Sequence, residues 1–163
     1  MRRPETLAEY LLIMDSLRTK FTRIVGYRAE DILADQDKQL AAERLLQELA
    51  DCALDIGRDL LTEQGVDPGT TGRISFKQLA KAGIIDRDLA NQLADHYGLR
   101  NALVHGYLAV DEEEIIAQLP TVRGLIDNYM SAVMAYLSQR QARDAADGAA
   151  ATIAEPTLPD MQP

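Results

Sequence analysis

Basic charge, cysteine and long apolar runs are all scarce in this chain, and each shortage excludes a class of protein. Its 17 lysines and arginines face 26 acids, for a net charge of −9. Broad basic surfaces bind nucleic acid by neutralising many phosphates, so this balance leaves room only for a local basic site and makes DNA an unexpected partner. The single cysteine, Cys52, cannot close an internal disulfide and has no metal-type spacing around it, which fits a reducing compartment and an ordinary packing role. No stretch approaches the ~18 consecutive apolar residues of a membrane helix, and residues 1–10 lack the apolar core of a signal peptide. The expectation is a soluble, cytoplasmic protein with no membrane partner. Strand-like alternation between hairpin turns is also missing, as are internal repeats, so the fold class should be all-α.

What the chain does have is helical periodicity and, at 47% hydrophobic residues, enough apolar surface for a single core. Leu7, Tyr10, Leu11, Met14, Leu17, Phe21 and Ile24 recur at steps of three and four, the stripe of an amphipathic helix ending near Gly26. A short helical segment is expected at 30–34. Leu45, Leu49, Cys52, Ala53, Ile56 and Leu60 mark a second, longer helix over about 37–63, closed by Gly65. The turn formers of 67–72 predict a loop. After it, Ser75 with Gln78 reads as a capping box opening a short helix that Gly83 stops.

Asp86 should cap a fourth helix carrying Leu89, Leu93, Tyr97, Arg100 and Leu103, with Gly106 as its terminator. Asp111 should begin a fifth, whose first turn holds Glu112, Glu113 and Glu114, where the helix dipole favours acids. In that helix Ile115, Leu119, Val122, Ile126, Tyr129, Val133 and Tyr136 form a packing seam, against other helices or a second subunit, and Pro120 should kink it. The architecture expected is an antiparallel bundle of about five helices over residues 1–141. Residues 142–163 lose the periodicity and gain proline, and read as a disordered tail.

The end of the fourth helix concentrates chemistry: Arg100, Asn101, His105 and Tyr107 fall within eight residues. Arg100 offers a rigid fork of donors for a phosphate, and His105 a proton carrier near neutral pH. Five residues of continuous helix separate the two by about 140° in projection, so they do not share a face. Either the helix breaks just before His105 and Gly106 turns the imidazole back, or two copies of the motif meet across a two-fold axis. Asn101 lies four residues before His105 and could fix its tautomer. The competing reading is structural: Arg100 pairs with an acid such as Asp95 or Asp111, while His105 and Tyr107 cap and pack the helix end. His96, one turn before Arg100, reads most simply as a partly exposed helical histidine.

The order Arg100-Asn101, then His105-Gly106-Tyr107, resembles the R-x-x-x-x-H-x-Y signature of HepT-like ribonuclease toxins, a branch of the HEPN superfamily. The helix order, Phe76-Lys77-Gln78-Leu79-Ala80 with Gly83-Ile84-Ile85, and the run from Gly98 to His105 are similar too, so the resemblance covers about residues 5–140. It implies a metal-independent endoribonuclease with no cofactor, working as a homodimer whose two motifs face one another in a cleft. Arg100 and His105 would be the catalytic pair, and RNA would be cut by attack of a ribose 2′-OH, leaving a 2′,3′-cyclic phosphate. No paired carboxylate and histidine cluster stands near the motif, which suits a reaction without metal.

The resemblance also implies a toxin-antitoxin partner, a minimal nucleotidyltransferase of the MntA kind, which would transfer AMP to Tyr107 and so silence the enzyme. Tyr107 could otherwise serve only to position His105 or RNA. Asp55, in a Leu54-Asp55-Ile56-Gly57 stretch similar to a cleft-facing family segment, is either a site neighbour or a solvated helix acid. A reading of a different class remains beside the ribonuclease: a non-catalytic helical dimerisation and binding module that serves a nucleotidyltransferase.

Overall fold

The computed structural model of the chain describes residues 6–105 and 111–153, with backbone alone for 102, 104, 105 and 148–153. Six helices make up these residues: α1 Leu7–Val25, α2 Ala29–Leu33, α3 Gln36–Glu63, α4 Gly72–Lys81, α5 Arg87–His105 and α6 Glu112–Ile153. The described residues contain no strand, and none of their helices is long and apolar enough to cross a membrane.

Every helix except the short α2 starts where a side chain satisfies some of its free N–H groups. Thr6 and Glu9 form a reciprocal capping box on α1, Asp35 accepts from the backbone of Asp37 and Lys38, and Asp86 accepts from Leu89 N at 2.7 Å. Asp111 does the same for Glu113 N at 3.0 Å. Gly65 and Gly83, with φ of 71° and 72°, supply the left-handed residues after α3 and α4.

The start of α4 differs from the expected capping box at Ser75. Thr71 is the cap, accepting from Ile74 N at 3.3 Å, and Ser75 lies inside the helix. The fully buried Ser75 hydroxyl donates to the carbonyl oxygens of Pro68 (2.8 Å) and Thr71 (3.1 Å), tying the preceding loop to α4. α6 itself runs on to Ile153, past residue 141, and residues 154–163 of the expected tail lie outside those described. Alanines at 142, 145, 146 and 149–151 carry the highest intrinsic helix propensity, which sustains a helix where apolar periodicity has lapsed.

α3 is the hub, packing against every other helix. Its expected stripe is buried in full, and the buried set widens to include Ala42, Leu46, Leu54 and Leu61, because neighbours cover more than one of its faces. The α6 seam from Ile115 to Val133 is buried within the same chain, which resolves its partner as intramolecular. α6 is unbroken at Pro120, which has no N–H to offer the carbonyl one turn back. At the core's centre the buried Tyr129 hydroxyl donates to the Ala53 carbonyl at 2.9 Å, and burial pushes its ionisation well above the ordinary tyrosine range. Tyr129→Phe removes that bond from a dry site and is expected to cost about 1 kcal/mol in urea unfolding; no loss would show the bond to be energetically idle.

Candidate active site

α4 and α5 are joined by only five residues, 82–86, and pack side by side, so they run as an antiparallel hairpin. Their close approach depends on Gly72: a Cβ there would stand 2.6 Å from Cδ1 of Tyr97. Tyr97 packs edge-on against buried Phe76 with ring centroids 6.4 Å apart, and the Arg100 guanidinium lies over its face at 5.8 Å. A glycine on α4 thus sets the ring that supports the arginine.

Arg100 is held from the other side by Asp51 of α3. Its Nη2 donates to Oδ2 at 2.8 Å, and Nε lies 2.8 Å from Oδ1, in ion-pair contact but out of line for a hydrogen bond. Two-point contact of this kind fixes the plane of the fork. The Asp51 carboxylate raises the Arg100 pKa above its ordinary value, with burial opposing it, so the site carries a permanent positive charge. Nη1 turns toward Asn101, whose Oδ1 accepts at 3.4 Å. Asn101 in turn lines a groove of about 310 Å³ with Arg58, Thr71, Arg73, Tyr97 and Gly98.

The acids proposed from sequence as partners for Arg100 are thereby corrected. Asp95 pairs with Arg73 at 3.2 Å, and Asp111 caps α6. Asp51 was missed because its partner is 49 positions away, yet a signal existed: Asp51 and Asp55 are acids one turn apart inside the apolar run of α3. Asp55 is half-buried on that face, and together with burial the two carboxylates push the Cys52 thiol up to about 12. Cys52 is accordingly an unreactive packing residue. Among the described residues, no group of three His, Cys, Asp or Glu side chains is placed to hold a metal ion.

His105 is the last residue of α5, so the backbone carries Arg100 and His105 on one continuous helix, about 140° apart in projection. No break precedes His105. The His105 side chain, Gly106 and Tyr107 lie outside what is described.

His96 is buried, not partly exposed: it is 7% accessible, and neither ring nitrogen has a hydrogen-bond partner. Burial lowers its pKa from 6.5 to about 4, so the folded protein holds a neutral ring. The unfolded chain takes up the proton first as pH falls. Stability present above pH 6.5 is therefore expected to decline between 6.5 and about 4, by up to about 3 kcal/mol. In urea titrations across this window His96→Leu should flatten the slope; an unchanged slope would place its source elsewhere.

Comparison with known proteins decides the family. The model of the family Ribonuclease HepT-like matches residues 8–123. A tRNA nuclease HepT from Aphanizomenon flos-aquae is 32% identical over 135 residues, covering 83% of this chain and 87% of that protein.

The chain belongs to the HepT-like ribonuclease family.

Its enzyme class is that family's, ribonuclease, and its fold is shared with HEPN proteins of known structure. The tri-AMPylated HEPN toxin of Shewanella oneidensis, solved in complex with an MNT antitoxin, superposes with a TM-score of 0.73 at 18% identity, over 82% of this chain and 99% of that one. YutE, a cytosolic protein of Bacillus subtilis, gives 0.68 at 20% identity, over 82% and 90%. In this HepT-like chain Asp51, Tyr97 and Asn101 gather around Arg100, and Tyr97 and Asn101 also line the groove.

Proposed function

We propose that this HepT-like protein is the toxin of a toxin-antitoxin pair, a cytoplasmic endoribonuclease that works as a homodimer. The observation that carries the reading is the Arg100 guanidinium fixed by Asp51 beside groove-lining Tyr97 and Asn101, five residues before His105 on the same helix. In this reading His105 takes the proton from a ribose 2′-OH, and the 2′ oxygen attacks the adjacent phosphorus. The 5′ oxygen leaves with a proton, and a 2′,3′-cyclic phosphate remains. Arg100 stabilises the charge that builds on the phosphorus oxygens, so its own positive charge does the electrostatic part of the reaction without a metal.

The continuous helix favours the two-fold arrangement over a break: facing α5 ends would bring one copy's Arg100 toward the other copy's His105. Asn101 accepts from Arg100 and stands one turn before His105 on the same helix. The AMP carried by the related Shewanella toxin, and its MNT partner, support a cognate nucleotidyltransferase that modifies Tyr107 here. The test is cleavage of RNA by the purified protein in EDTA. His105→Ala should leave circular dichroism and dimer mass unchanged and abolish cleavage, and full activity in that variant would end the proposal.

A further inference from the structure

The net charge of −9 poses a problem for any polyanionic substrate, and the distribution of ion pairs answers it. Arg18, Lys38, Arg44, Arg73, Arg100 and Arg140 are each paired with a carboxylate. Like Lys20 and Arg23 of α1, three further bases, Lys77, Lys81 and Arg87, are exposed and have no acidic partner among the described residues. All three line one groove of about 440 Å³ with Ala80, Ala90 and Asn91.

This groove lies in line with the one beside Arg100, between the same two helices. On α5 the residues lining the two are 87, 90, 91, 94, 97, 98 and 101, a run of three- and four-residue steps that stays on one helix face. On α4 the basic positions Arg73, Lys77 and Lys81 are likewise four apart. From Arg87 to Asn101 the furrow follows about 21 Å of helix. The acids near it are engaged: Asp86 caps α5, and Asp95 holds Arg73 in an exposed pair that a phosphate can displace. Asp88, in the first turn of α5, is stabilised there by the helix dipole.

We propose that the α4–α5 furrow is the docking track for the RNA backbone, with Lys77, Lys81 and Arg87 binding phosphates remote from the cut and leading the strand past Arg73 to Arg100. This rests on the ribonuclease reading above and adds where the substrate lies. The contacts are to phosphate, so they set affinity and direction rather than base preference.

The test is the full chain carrying Lys77→Gln, Lys81→Gln and Arg87→Gln together, compared with wild type on deproteinised transfer RNA. Because the three side chains are exposed, circular dichroism should not change. KM should rise at least tenfold with kcat within twofold. Binding measured in the His105→Ala background should lose about 2 from the slope of log affinity against log salt, near 0.7 for each phosphate contact. The Lys77→Arg, Lys81→Arg double variant, which keeps the charge, should bind as wild type does. An unchanged KM and salt slope would overturn the track. So would a triple variant that binds RNA normally but no longer co-purifies with a nucleotidyltransferase partner, since the furrow would then be a protein interface. A wild type that binds RNA on this slope yet never cuts it would instead overturn the ribonuclease reading and leave the track standing.

Discussion

Arg100→Ala should lower RNA cleavage by about a thousandfold or more while leaving the helical fold in place. Removal of a preorganised positive charge withdraws stabilisation that exists mainly in the transition state, so the loss should fall on kcat rather than KM. Structural damage should be small, because Asp51 is 43% exposed and can be rehydrated once its partner is gone. Arg100→Lys should also fail, since a point charge cannot reproduce the two-point contact with Asp51 and still present a donor toward Asn101.

The two-fold arrangement adds a sharper expectation. Arg100→Ala and His105→Ala protomers, each inactive alone, should regain about a quarter of wild-type activity when mixed and allowed to exchange. Random pairing makes half the dimers mixed, and one cleft in each of these is intact. No recovery would place both residues of a working site on one chain.

The second large effect concerns Tyr107. Attachment of AMP beside the catalytic pair would add bulk and a negative charge where an RNA phosphate must sit, so activity should fall in step with the adenylylated fraction and approach zero when modification is complete. The experiment incubates the protein with its cognate nucleotidyltransferase and ATP, following mass and cleavage together. Tyr107→Phe should stay active and unmodified. A Tyr107→Phe protein that is still silenced would assign the modification to another residue.

How much of this was legible in the sequence depended on the range of the interaction. Helix identities and the caps at Asp86 and Asp111 were readable because they rest on contacts within four residues. Ser75 misled because its polar spacing imitates a cap, while its actual role, binding the Pro68 carbonyl, depends on how the loop folds back. His96 lies three residues after buried Leu93, so the helical period already placed it on the inner face; a preference for histidine at surfaces obscured that. The Arg100–Asp51 pair is tertiary, and only the packing of α3 on α5 creates it. Chemistry at the end of α5 was visible through residue types and spacing, whereas the furrow leading to it required knowing which lysines and arginines lack acidic partners.

The most direct measurement is end-group analysis of RNA cut by the purified protein in EDTA. Wild type should leave 2′,3′-cyclic phosphate and 5′-hydroxyl ends, and His105→Ala none. Products bearing 3′-hydroxyl and 5′-phosphate ends, or cyclic ends formed undiminished by His105→Ala, would contradict this mechanism.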